Sequence, residues 1–162
     1  MAMHPVHPAH AVSDEHTELA EQTALLTRAF AVFDAQCSPP ASGQPALSVL
    51  APWLEFLAAD VEFLAGNGQA LFGHAAVAGY FEPLLPALTA VVHELLTISP
   101  VIGPKNAWTV RGILRLRRRR DGNAITPIPF TDTLFLGAGG RHIIRYEIRF
   151  DPAPIGELFA PD

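Results

Sequence analysis

The sequence predicts a single α+β domain, three N-terminal helices packed on a curved, mainly antiparallel β-sheet that encloses a pocket. Three observations point there. Apolar residues recur at helical spacing mainly in the first half of the chain, and runs of alternating polar and apolar residues fill the second half. The stretch Phe130 to Asp151 holds two such runs around Gly137, Gly139 and Gly140, the pattern of a β-hairpin with a glycine-rich reversal.

With 162 residues the chain suits one domain with a real core. Apolar residues make up 49% and charged ones 17%, a balance that favours extensive buried surface, and the net charge of −5 argues against a general polyanion binder, so no nucleic-acid partner is expected. Arg115 and Arg117 to Arg120 form the one basic run, read as a solvated strand end leading into the turn Asp121-Gly122-Asn123. The single cysteine, Cys37, excludes an internal disulfide and a Cys-rich metal site. Neither a membrane helix nor a signal peptide is apparent, which places the expected location in the cytoplasm.

Taken in order, residues 1–12 are rich in Pro and His and read as a disordered tail, the domain proper being 13–162. Ser13 with Asp14 and Glu15 reads as a helix start, and Leu19, Thr23, Leu26, Phe30 and Phe33 form a stripe down a helix to about Gln36. Asp34, four residues after Phe30, ends it near that stripe. Pro39, Pro40, Gly43 and Pro45 impose a loop. A second helix is expected over 46–59 and short strands over 60–65 and 69–72, joined by the turn Gly66-Asn67-Gly68. A third helix, 75–85, precedes four strands over 91–98, 108–118, 125–136 and 141–150.

Parity along these strands selects the candidates. Phe130, Leu134 and Leu136 share a face with Asp132, and an unpaired charge on an apolar face is costly, so Asp132 needs either a partner or a task. In the last strand His142 and Tyr146 share the apolar face, with Tyr146 the better placed to offer a hydroxyl to a ligand. His93 is ambiguous, because Val92, Glu94, Leu96 and Ile98 form a rival inward set. Trp53, Phe63, Tyr80, Phe81 and Trp108 are core or pocket lining. No set of side chains suggests a metal site.

Four local patterns, AFAVFDA at the end of the first helix, AADVEFLAGNGQALFGHAAVAGYF, VVHELLTI and IIRYEIRFDPAPIGEL, resemble the NTF2-like superfamily, the cone-shaped fold of SnoaL-like polyketide cyclases, scytalone dehydratase and ketosteroid isomerase. The resemblance covers residues 14 to 160. It implies that Asp34 orients His93 as a general base, as in the scytalone dehydratase branch. A carboxylate on one imidazole nitrogen fixes the tautomer and leaves the other nitrogen free to take a proton. It also implies that Asp132 stands where ketosteroid isomerase has an oxyanion-stabilising aspartic acid. The match has gaps: Ala65 stands near the position of the isomerase's base, and Phe30 replaces its helix-one tyrosine.

The expected function is cofactor-independent proton-transfer chemistry, whether isomerisation, cyclisation or elimination, on a hydrophobic oxygenated metabolite such as a polyketide or terpenoid. Catalysis would fall to Asp34, His93 and Asp132, and ligand contact to Phe30, Trp53, Phe63, His142 and Tyr146. The alternative is a non-catalytic module that binds a small molecule or dimerises. The resemblance further implies a homodimer.

Overall fold

The structure, a computed structural model, describes residues 9–38 and 43–160, with side chains from Asp14 onward. Its first element, α1 (Ala9–Cys37), is one long helix. It starts ahead of the expected Ser13, which lies within it, and of the tail expected over residues 1–12 the first eight fall outside the described residues. The expected second helix is instead two short turns, α2 (Ala46–Val49) and α3 (Ala51–Leu54), meeting at Leu50. Pro52 explains the break, since it has no N–H to continue the helical ladder and sits instead in the first turn of a new helix. The chain then enters β1 (Leu57–Leu64) and turns into β2 (Ala70–Phe72). Helix α4 (Gly73–Phe81) stops ahead of Pro83, and Leu85–Ala87 adds a 3-10 turn.

The rest is the expected meander: β3 (Leu88–Pro100), β4 (Ala107–Arg118), β5 (Ile128–Leu136) and β6 (Ile143–Phe150), ending in a 3-10 segment, Ala153–Leu158. Strand β5 begins later than its sequence pattern because Pro127, just ahead of it, cannot donate to a ladder. One six-stranded sheet results, ordered β2-β1-β6-β5-β4-β3 and antiparallel except where β1 runs parallel to β6. The concave face is packed by Leu26, Phe30, Trp53, Phe63, Val110 and Leu134, all buried. Buried Gln22 accepts a hydrogen bond from Trp108 Nε1 at 3.0 Å and so ties α1 to β4.

The basic run is not simply solvated. Arg118 donates to the carbonyl of Glu157 and pairs with Asp121, Arg119 donates to the carbonyls of Pro86 and Leu88, and Arg120 donates to that of Ala160. The strand end thereby fastens two distant stretches of chain. No helix among the described residues is long and apolar enough to cross a membrane.

Close packing across β4 requires a glycine at one position. A side chain at Gly112 would place its Cβ 2.5 Å from the Glu94 carbonyl oxygen and 2.7 Å from the Phe130 ring, which lies across the strand. Gly112→Ala is therefore expected to lose about 1–3 kcal/mol of stability through overpacking. The measurement is the urea midpoint, which should fall with an unchanged denaturant slope.

Candidate active site

Strand β3 is the free edge of the sheet, and its outward N–H groups need partners. The last turn of α1 and the residue that follows it supply two. Ser38 Oγ accepts from the Val91 N–H at 2.7 Å, and Asp34 Oδ2 accepts from the His93 N–H at 2.7 Å. Asp34 lies in the last turn of the helix and Ser38 just beyond it, so the chain leaving α1 meets alternate edge amides two residues apart. Asp34 then uses its other oxygen on the same residue, with Oδ1 2.5 Å from His93 Nδ1. Both carboxylate oxygens thus hold one histidine. With a carboxylate as its partner Nδ1 carries the hydrogen, which leaves Nε2 with a lone pair.

The ambiguity in His93's facing is resolved by a bulge. Val91 is buried and His93 half-buried while Val92 and Glu94 are exposed; the β3–β4 register then shifts between Leu95 and Thr97, after which Ile98 turns inward. Of the rival inward set, Val92, Glu94 and Leu96 are exposed and only Ile98, beyond the shift, turns inward. The His93 ring sits among Phe30, Phe33 and Phe130, with centroids 5.1, 5.8 and 5.4 Å away.

Asp132 lies on the concave face of β5, 2% exposed. Tyr146 on β6 donates from its hydroxyl to Asp132 Oδ2 at 2.8 Å, and Oδ1 is buried with no hydrogen-bond partner. Burial pushes the carboxyl up to about 7, against the opposing pull of the Tyr146 hydroxyl and the nearby Arg149 main-chain amide. The same burial, reinforced by the neighbouring Asp132 charge, raises the Tyr146 phenol well above its ordinary value.

These groups share one cavity of about 570 Å³ between the sheet and the helices. His93, Asp132, Tyr146, Phe30, Trp53 and Phe63 all line it, and Asp34 stands behind His93. His142 does not. It is exposed, because the β5–β6 register slips between Phe135 and Leu136, so that Ile143 turns inward and both His142 and Ile144 turn out. A period-two reading of the last strand misses this bulge. Sequence reasoning also missed the edge cap by Ser38 and the place of Cys37 in the cavity wall, where burial and the charge of Asp34 push its thiol up to about 12. Neither carries a motif. Among the described residues no three His, Cys, Asp or Glu side chains gather as a metal site.

No protein-family model and no curated protein matches the sequence. Solved structures do match. An NTF2-like protein of unknown function from Exiguobacterium sp. 255-15 superposes with a TM-score of 0.62 at 20% identity over 78% of this chain and 98% of its own. A SnoaL-like polyketide cyclase candidate from Shewanella putrefaciens CN-32 gives 0.63 at 10% identity over 86% and 96%. TerC, co-crystallised with polyporic acid, gives 0.62 at 16% identity over 85% and 96%. The fold of this chain is thus the NTF2-like fold shared with SnoaL-like proteins.

Two measurements follow from the geometry. Replacing Asp34 by Asn preserves an acceptor for the His93 N–H but sets an NH₂ against Nδ1, so the hydrogen should move to Nε2; nitrogen-15 NMR of the imidazole should report the opposite tautomer in a folded protein. For Asp132, the folded carboxyl titrates near 7 and an unfolded one near 3.9. Between these values the folded chain keeps a proton that the unfolded chain releases, so stability falls as pH rises, by on the order of 4 kcal/mol in total. Its contribution is complete below the unfolded value and lost above the folded one. Urea titrations at pH 5 and pH 8 should show the larger part of this loss, about 2.6 kcal/mol, in the native protein and its absence in Asp132→Asn.

Proposed function

We propose that the protein is a cofactor-independent enzyme that moves a proton on a hydrophobic, oxygenated small molecule. One observation carries this reading: a histidine locked by a carboxylate and a buried carboxyl with an unpartnered oxygen line the same apolar cavity. Nε2 of His93 removes a proton from carbon next to a carbonyl, and the electron pair moves onto the carbonyl oxygen. The protonated Asp132 donates to that oxygen from Oδ1, while the Tyr146 hydroxyl holds Oδ2 and orients the carboxyl. The wall of Phe30, Trp53, Phe63 and Phe130 excludes water and strengthens that hydrogen bond.

Isomerisation, aldol-type cyclisation and elimination all begin with this step and diverge in what the enolate does next. The substrate class rests on the cavity's apolar, aromatic wall, in whose lining no Lys or Arg side chain takes part among the described residues. A polyketide- or terpenoid-like ketone suits such a wall. Structural neighbours that include a SnoaL-like polyketide cyclase candidate and a protein co-crystallised with polyporic acid lend the same direction.

Exchange of carbon-bound hydrogen tests this directly. Incubated in D₂O with 2-tetralone, flavanone and androst-5-ene-3,17-dione, the protein should speed deuterium incorporation beside at least one carbonyl, followed by NMR. His93→Ala should lower that rate by about 10²–10⁴-fold. The rate should also fall above pH 7, where Asp132 ionises and ceases to donate. Ketones that bind the cavity without any exchange would instead support the reading as a binding module.

A further inference from the structure

The arginine run takes no part in this chemistry, yet its contacts converge on one end of the cavity. Arg119 donates to the carbonyl oxygens of Pro86 at 2.9 Å and Leu88 at 2.8 Å, and its N–H donates to Ala87 O at 2.8 Å. Arg118 Nη1 donates to Glu157 O at 3.3 Å, Arg120 Nη1 donates to Ala160 O, and the Thr126 N–H donates to the Glu157 carboxylate at 3.2 Å. Both anchored stretches reach the cavity, one through Leu84, Leu85 and Leu88 and the other through Ile155 and Leu158.

They are not anchored alike. Leu85–Ala87 runs directly into the β3 ladder. Ala153–Leu158 follows the last strand, pairs with none, and is held across to the body by the long bonds just described. Its Gly156 and the following Phe159 are exposed and Ile155 is half-buried. The latch is also incompletely satisfied, since Arg118 Nε is buried without a hydrogen-bond partner. Leu158 is buried, but the segment is held to the rest of the chain outside the sheet ladder, through Arg118 and the Glu157 carboxylate at 3.3 and 3.2 Å, and an element held this way opens at lower cost than the sheet beneath it.

We propose that Ala153–Leu158 is the gate of the cavity, latched by Arg118 and Glu157, and that small molecules enter and leave beneath it. Closed, Ile155 and Leu158 complete the apolar wall that keeps water from Asp132. Open, they uncover a route from solvent to His93 and Asp132. The inference goes beyond the proton-transfer reading, because a binding protein with this cavity needs the same gate.

Cys37 provides a built-in reporter. It is the single cysteine of the chain, fully buried, and part of the cavity wall. Its reaction with the uncharged 4,4′-dithiodipyridine, followed by absorbance in the full-length protein, measures how often the cavity opens. Arg118→Met and Glu157→Ala loosen the gate from its two sides. Both should speed labelling at least tenfold in native buffer, beyond any change in the global unfolding equilibrium measured by urea for the same variant. Rates equal to the unsubstituted protein in both variants, or rates that rise only in step with global unfolding, would overturn the gate. No turnover is read, so a failure here leaves the chemistry of His93 and Asp132 to its own test.

Discussion

Asp34 is the constraint on which the rest of the site depends. Its two oxygens satisfy the main chain and the side chain of one residue on an otherwise open strand edge. The first contact docks α1 against β3, and the second sets the imidazole tautomer. Because one carboxylate does both, the helix cannot shift against the sheet without also releasing the ring. Ser38, just past the helix end, repeats the edge contact at Val91 and removes the freedom to pivot. The histidine's orientation is therefore a consequence of how the helix seals the sheet, and it costs little further ordering of the side chain.

Asp132 has the opposite environment. Asp34 is partly exposed and has both oxygens occupied, whereas Asp132 is almost wholly buried and has one oxygen occupied. A buried polar atom without a partner is disfavoured in a folded protein unless something else uses it. Here the unpartnered oxygen belongs to a residue lining an apolar cavity, and burial shifts that residue towards its protonated, donating form. Two carboxyl groups on one fold thus acquire different capacities, one to accept from His93 and the other to donate to an occupant.

Much of this was legible in the sequence. The α+β order, the four-strand meander and the inward position of Asp132 follow from helical and strand periodicities that persist over many residues. The placement of Asp34 beside His93 came through resemblance, since nothing in the spacing of residues 34 and 93 brings them together. Bulges defeated parity at two places. At Leu95–Thr97 the shift turned Ile98 inward while Val92, Glu94 and Leu96 stay exposed, and opposite Phe135–Leu136 it turned His142 out and Ile143 in. A bulge changes the phase of a strand without changing its composition, so period-two reasoning fails beyond it. The second helix failed differently, because Pro52 in an apolar stretch can kink a helix or end it, and here the chain was needed for β1. The arginine run failed because its partners are main-chain carbonyls from remote segments, which leave no mark on side-chain pattern.

The cone joins two demands that ordinarily conflict. A donor such as Asp132 is effective only while dry, because water would offer it a partner and favour its charged form. A base such as His93 is useful only if a molecule from solvent can reach it. The architecture separates the two by stability: the dyad and the acid are built on β3, β5, β6 and the long helix, whereas the Ile155 and Leu158 part of the wall comes from a short segment held by side chains. On the proposed reading, rigidity falls where geometry would set the chemistry, and looseness where passage would be required. Arg118, Arg119 and Arg120 fit this division, because guanidinium forks on one strand end can hold main-chain carbonyls of two separate segments.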